Sequence, residues 1–177
     1  FGLHGWAMSR FTGRWVALKL TSDTAESSAI VDIDPERVRI VIPEDFRLPP
    51  DGVHLRWPDP QLGMVNRLMA CKVYAALAYA RANRLNHVVF DSPRPRLGII
   101  ACGKAYLDVR QALDDMGIDE QYAAEIGLRL FKVGMPWPLE ADSVRSFAEG
   151  LEEILVVEEK RQIIEYQLKE MLYNWRE

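Results

Sequence analysis

The chain has 177 residues, 22 Lys and Arg against 26 Asp and Glu for a formal net charge of −4, 49% hydrophobic residues and two cysteines. That length and apolar share furnish one compact domain, or one domain with a substantial extension, and exclude wholesale disorder, a collagen-like chain and a low-complexity one. An acidic balance without a clustered Lys/Arg stripe excludes a dedicated nucleic-acid binder, since phosphate neutralisation needs concentrated positive charge, and no apolar stretch approaches the roughly 20 residues that span a bilayer.

Residues 1–10 (FGLHGWAMSR) lack the charged start and long apolar middle of a signal peptide. They also lack an initiator Met, which points to a chain cut from something longer. Phe1, Leu3, Trp6 and Phe11 carry more apolar bulk than a solvated tail. Residues 1–20 are therefore expected to contact the long helix described below or another copy of the chain, a homo-oligomer. Arg14–Leu20 (RWVALKL), after the turn-like Thr12-Gly13, reads as a strand, and the polar Thr21–Ser28 as its exit loop or as the lining of a site at its end. Val38–Ile42 is a second strand-like run after the turn signal Asp34-Pro35. Residues 43–60 carry Pro43, Pro49, Pro50, Pro58 and Pro60 and read as a linker outside the core.

From Gln61 to Asn83 the apolar positions Leu62, Val65, Met69, Val73, Ala76, Leu77 and Ala80 recur at helical spacing. Asp59 and Pro60 are the expected N-cap and first residue. Arg67, Lys72, Arg81 and Arg84 mark either a wet side or a face toward another subunit.

Past Asp91 short apolar runs alternate with helical patterns: strands at 98–102, 128–133 and 153–157. The helix after Gly103-Lys104 is expected to bury Ala105, Val109, Ala112, Leu113 and Met116 and to stop at a left-handed Gly117. Gly134–Leu139 (GMPWPL) reads as a rigid turn, Ala141–Gly150 as a helix capped by Asp142 or Ser143, and Arg161–Tyr173 as a final helix burying Ile164, Leu168, Met171 and Leu172. Strand–helix alternation with short connections predicts a three-layer α/β/α unit over residues 87–173 with a mostly parallel sheet.

Chemical motifs are sparse. Gly98–Lys104 is a strand entering a helix through glycine, a place where an anion can sit, but it lacks both Walker A and three-glycine dinucleotide spacing. Close strand–helix packing at Gly103 is the other reading. Glu158-Glu159-Lys160-Arg161 puts acids and bases at a strand end, where one carboxylate could serve as general acid or base, or the four could neutralise one another. His4, His54 and His87 form no metal-ligand pair, and no GxSxG elbow occurs. Cys71 and Cys102 lack CxxC and iron–sulfur spacing and read as buried thiols of a reducing cytoplasm.

Together these motifs resemble a known family. LGIIACGKAYLDVRQALDDMGID, followed by GLRLFKVGMPWPLEADSVRSFAEGLEEILVVEEKRQIIEYQLKEML, resembles the transketolase C-terminal-like domain of 2-oxoacid:ferredoxin oxidoreductases, of the indolepyruvate type in its long fused bacterial form. SRFTGRWVALKLTSDTAESSA is similar to the tail of that family's pyrimidine-binding thiamine diphosphate domain. The resemblance implies this layout: 1–42 the tail of the pyrimidine-binding domain, an α/β extension; 43–60 a proline-rich linker; 61–86 a long connecting helix; 87–177 the transketolase C-terminal-like domain.

In that family the whole enzyme oxidatively decarboxylates an aryl- or branched-chain 2-oxoacid to an acyl-CoA, using thiamine diphosphate, Mg and [4Fe–4S] clusters, with ferredoxin and coenzyme A as partners. This chain shows no GDG followed by a distal Asn, no cysteine-rich module and no assignable pyrimidine-activating glutamate. No cofactor is therefore assigned to the segment itself, and its expected partners are other domains or subunits of the oxidoreductase. The motif positions Gly98, Gly103, Lys104, Tyr106, Gly134, Pro136, Pro138, Glu158 and Glu159 imply architecture and interdomain contact. The expected contact set is Gly103, Lys104, Met135, Pro136, Trp137, Glu158, Glu159 and Lys160. A freestanding small-molecule-binding α/β module using the strand ends near Gly103, Met135 and Glu158 is the alternative.

Overall fold

The computed structural model describes residues 1–34 and 36–175. Pro35, half of the Asp34-Pro35 turn signal, and the last two residues of the expected 87–177 domain lie outside the described residues. The chain divides into two compact units, residues 1–83 and 84–177.

In the first unit, helix α1 (Gly2–Thr12) is followed by a short helix α2 (Ser22–Glu26) within the expected exit loop, then by α3 (Gln61–Arg67) and α4 (Val73–Ala82). Neither Arg14–Leu20 nor Val38–Ile42 forms a strand. Strand propensity needs a neighbouring ladder to become structure, and among the described residues no segment pairs along either run. Asn83 partly substitutes at the second run: its Oδ1 accepts from the Val41 N–H at 2.8 Å, and its Nδ2 donates to the Val41 carbonyl at 2.9 Å.

The long helix departs from its even periodicity because residues Leu68–Lys72 form a π-turn between α3 and α4. One extra residue per turn rotates everything before it around the axis. Leu62, Val65 and Met69 consequently face solvent, while Ala75, Ala76, Ala78, Tyr79 and Ala80 are buried. The expected cap also differs: Pro60 occupies the N-cap position, and Asp59 pairs with Arg67 at 2.6 Å. Helix α1 packs on this helix, with Phe11 tilted against Tyr79 at 6.2 Å between ring centroids and His4 Nδ1 3.1 Å from the Tyr79 hydroxyl. The basic residues are tied down: Lys72 donates to the Gly13 carbonyl at 3.0 Å, and Arg81 pairs with Asp45. Val53, inside the expected linker, is fully buried, so that stretch is part of the packing. Cys71 is half-buried.

The second unit is a four-stranded sheet in the order β1-β3-β2-β4, with β1 His87–Phe90, β2 Leu97–Cys102, β3 Leu128–Val133 and β4 Glu153–Val157. The three expected strands run parallel, in the register Ile99↔Leu130 and Ile99↔Leu155. The fourth, β1, was not foreseen and pairs antiparallel with β3, His87 opposite Lys132.

Helices α5 (Gly103–Asp115) and α6 (Glu120–Ile126) cover one face through Tyr106, Leu113 and Ala123. Helices α7 (Ala141–Ala148) and α8 (Ile164–Leu172) cover the other through Val144, Phe147, Ile164 and Leu168. This is the three-layer α/β/α arrangement with a mostly parallel sheet. On α5 the buried face is Ala105, Tyr106 and Leu113, whereas Ala112 and Met116 are exposed. Gly117 is left-handed, φ 69°, and the Ile118 N–H reaches back to the Leu113 carbonyl at 2.8 Å. The cap of α7 is Glu140, whose carboxylate accepts from the Asp142 and Ser143 N–H groups, and neither Asp142 nor Ser143 itself is the cap residue. Helix α8 starts at Ile164, three residues later than the pattern suggests.

Candidate functional site

The parallel strands β3, β2 and β4 deliver Met135, Gly103 and Glu158 to three adjacent strand ends, the side of an open α/β sheet where ligands bind. The fold uses most of the polar groups there.

Helix α5 begins directly at Gly103, whose φ is 55° and where an added Cβ would meet nothing within 4 Å. Glycine is required there by the left-handed backbone, and the reading of close strand–helix packing at this residue is corrected. The close approach lies at Gly98, where a Cβ would fall 2.4 Å from Leu151 and 2.7 Å from Phe147. Lys104 Nζ sits 2.9 Å from both carboxylate oxygens of Asp108, one turn on. Cys102 is half-buried rather than buried.

The Gly134–Leu139 turn contains a cis Trp137-Pro138 peptide and is held by two buried amides that the sequence reading missed. Asn86 Oδ1 accepts from the N–H groups of Gly134 and Met135, both at 2.9 Å. Gln167 Oε1 accepts from the Leu139 N–H at 2.9 Å, and its Nε2 donates to the carbonyls of Pro136 at 2.8 Å and Ile163 at 2.7 Å. The available signal for Gln167 was a polar residue on the apolar stripe Ile164, Leu168, Met171 of α8, since buried amides are retained where backbone groups need partners. Gln167→Met is expected to destabilise the unit by about 2 kcal/mol, because it leaves the Leu139 N–H unpaired in the interior. Chemical denaturation followed by circular dichroism measures the loss.

Glu158 is engaged by the backbone at the start of α8. Its Oε1 accepts from the N–H groups of Ile163 and Ile164 at 2.8 and 2.9 Å, and its Oε2 from Glu165 at 3.1 Å. The side chain thus fills the N-terminus of α8, where an external anion would otherwise bind. Glu159 and Lys160 are exposed. Among the described residues no ion pair joins Glu158 or Glu159 to Lys160 or Arg161. Trp137 is more than half exposed.

On the α5 side of the sheet, Tyr106 is nearly fully buried with the Lys132 ammonium 4.9 Å from its ring centroid. Arg110 Nη1 lies 3.4 Å from the Tyr106 hydroxyl, and its guanidinium carbon is 4.8 Å from the Phe90 centroid. His87, opposite Lys132, has its pKa held below the ordinary 6.5, first by burial and then by the Lys132 and Arg84 charges, against an opposing hydrogen bond to the Arg84 carbonyl. Folded protein therefore binds this proton more weakly than unfolded chain does. His87 contributes stability that is present above its unfolded value and is lost as pH falls through the lowered folded value. An NMR titration of the ring should show a midpoint below that of an unfolded reference, and His87→Gln should flatten the fall in stability below about pH 6.5.

Among the described residues no group of three or more His, Cys, Asp or Glu side chains could hold a metal ion. No helix of the described residues is long and apolar enough to cross a membrane.

The second unit is a three-layer unit of the α/β class whose strand ends are held by its own amides and carboxylate. Its family is specific: residues 86–177 match the indolepyruvate ferredoxin oxidoreductase middle domain, and the chain belongs to that family. It is 28% identical over 163 residues, 92% of this chain, to the indolepyruvate oxidoreductase subunit IorA of Methanothermobacter thermautotrophicus, and covers 24% of that protein. To the corresponding subunits of Thermococcus kodakarensis and Methanothermobacter marburgensis it is 33% and 36% identical over 45% and 49% of this chain, covering 11% and 13% of theirs. The chain thus spans between about a tenth and a quarter of the length of these relatives. A 2-oxoglutarate:ferredoxin oxidoreductase from Magnetococcus marinus, solved with 2-oxoglutarate, coenzyme A and succinyl-CoA bound, aligns with TM-score 0.43 and 16% identity over 72% of this chain and 20% of its own.

Proposed function

We propose that this chain is a non-catalytic interdomain segment of a thiamine-diphosphate-dependent 2-oxoacid:ferredoxin oxidoreductase of the indolepyruvate type. The match of residues 86–177 to the middle domain of that family carries the reading. In this proposal the whole enzyme converts an aryl- or branched-chain 2-oxoacid to an acyl-CoA and passes electrons to ferredoxin, with the reaction's cofactors held by other parts. Two separated cysteines are too few for a four-thiolate cluster, and the proposal assigns no chemical step to this chain's side chains.

Its contribution is shape. Residues 1–42 are the tail of the pyrimidine-binding domain, 43–60 and 61–86 the connection, and 87–177 the transketolase C-terminal-like domain, in a cytoplasmic enzyme. The strand-end set of Gly103, Lys104, Met135, Pro136, Trp137, Glu158, Glu159 and Lys160 meets neighbouring domains. The support is that Glu158 is spent on α8, Met135 and Pro136 on Asn86 and Gln167, while the Trp137 indole stays outside.

The test is an indolepyruvate-dependent ferredoxin-reduction assay with coenzyme A on the purified chain and on an intact enzyme of this family carrying Trp137→Asp at the matching position. No turnover by the chain, and reduced turnover or looser subunit association in the variant, are the expected results. Ferredoxin reduction by the 177-residue chain alone would overturn the proposal.

A further inference from the structure

We propose that the outer edge of β4 and the groove beside it receive a fifth strand, parallel to β4 and apolar at alternate positions, supplied by the parent oxidoreductase's polypeptide as it continues from α8. The proposal rests on the reading of this chain as an interdomain segment.

The connections of the sheet point to that edge. β2 reaches β3 through α5 and α6 on one face, and β3 passes back over β2 to β4 through α7 on the other. Direction and face reverse together, so both crossovers have the same hand, and parallel connections are right-handed almost without exception. Helix α8 leaves β4 on the α7 face, packing there through Ile164 and Leu168. A crossover of the same hand on that face lands beyond β4, on the side away from β2.

The edge itself is open to pairing. β4 follows β2 in continuous register, and among the described residues no strand pairs with its other side. The opposite edge strand, β1, is interrupted by a register shift between Val88 and Phe90, a device that blunts an edge. β4 has no such device: it holds neither Pro nor Lys, and Leu155 is 50% exposed. Between β4 and α8 lies a groove of about 620 Å³ lined by Leu151, Ile154, Val156, Leu168, Leu172 and Trp175. Ile154 and Val156 are only half-buried there, whereas Ile100 and Phe131, in the row of Val156 on the neighbouring strands, are fully buried. A strand laid along β4 sends every second side chain into the groove while its backbone pairs with the free edge.

The experiment is residue-level hydrogen exchange, read by mass spectrometry, on β4 of the 177-residue chain and on the matching strand of an intact enzyme of this family. In the intact enzyme alternate amides of residues 153–157 are expected to exchange about tenfold more slowly than in the chain, while the interior strand β2 stays protected in both. Leu172→Glu at the matching position of the intact enzyme should return those amides to the rates of the chain. Retained β2 protection shows that the variant is folded, and Trp175→Glu, in the same groove, is the second variant if it is not. Equal exchange of β4 in the chain and the intact enzyme would overturn the proposal. So would uniform slowing of all β4 amides, the mark of a surface laid over the strand, or protection that rises with the concentration of the isolated chain, the mark of a second copy. Exchange is read without turnover: an active enzyme with an unprotected β4 refutes the fifth strand and leaves the interdomain reading standing.

Discussion

Phe147→Ala is expected to lower the stability of the α/β unit by about 4 kcal/mol, the usual range for emptying a large aromatic site in a core. Phe147 is fully buried on α7, and its ring centroid lies 4.9 Å from that of Phe131 on β3, with an interplanar angle of 33°. Truncation therefore removes both the transferred apolar area and a ring–ring contact worth roughly 1 kcal/mol by itself. Few neighbours can collapse into the gap, since Val144 and Ile164 are themselves fully buried. For a unit the size of residues 84–177 such a loss lowers the melting temperature by roughly 20 °C. Urea unfolding followed by far-ultraviolet circular dichroism gives the number. A loss below about 1 kcal/mol would show that this face of the sheet is loosely packed.

The second large effect is the converse. Gly98→Val places new atoms where Leu151 and Phe147 already lie, 2.4 and 2.7 Å from the position of the first added carbon. Gly98 pairs with Ile154 on β4 and Arg129 on β3, so the central strand cannot withdraw without disturbing two ladders. The aromatic ring and the leucine must move instead, at a cost of about 3 kcal/mol. Because the clash and the cavity share Phe147, the double variant Gly98→Val with Phe147→Ala should be more stable than the sum of the single effects predicts, by more than about 1 kcal/mol. Strict additivity would mean that the valine is accommodated elsewhere.

Much of the α/β unit was legible because its signals are local. The runs LGIIAC and LRLFKV are apolar enough to be central strands, EILVV is apolar enough to be a strand although it lies at the sheet edge, and Gly117 marks a helix end. His87–Phe90 was not, since four residues without alternation carry too little pattern, and an antiparallel edge follows no strand–helix rhythm. Arg14–Leu20 failed for the opposite reason: its strong propensity has no ladder to join among the described residues. The π-turn at Leu68–Lys72 is invisible to a periodicity argument, which assumes a constant turn. At the strand ends the sequence marks Gly103, Met135 and Glu158, but residue identity alone could not show that Glu158 is consumed in capping α8, or that Asn86 and Gln167 hold the turn after β3.

Four of the five tryptophans are poorly placed to report on folding and well placed to report on association. Trp6, Trp15, Trp57 and Trp137 lie largely in solvent. Hydrated indoles of this kind are expected to change colour little on denaturation, so the half-buried Trp175 carries what fluorescence signal unfolding gives, and the backbone signal is the better probe. Covering Trp137 with a neighbouring domain would strip water from that indole and shift emission to shorter wavelength. The same exposure that silences fluorescence as a stability probe makes it a direct optical readout of docking, with Trp137→Phe as the control that removes it.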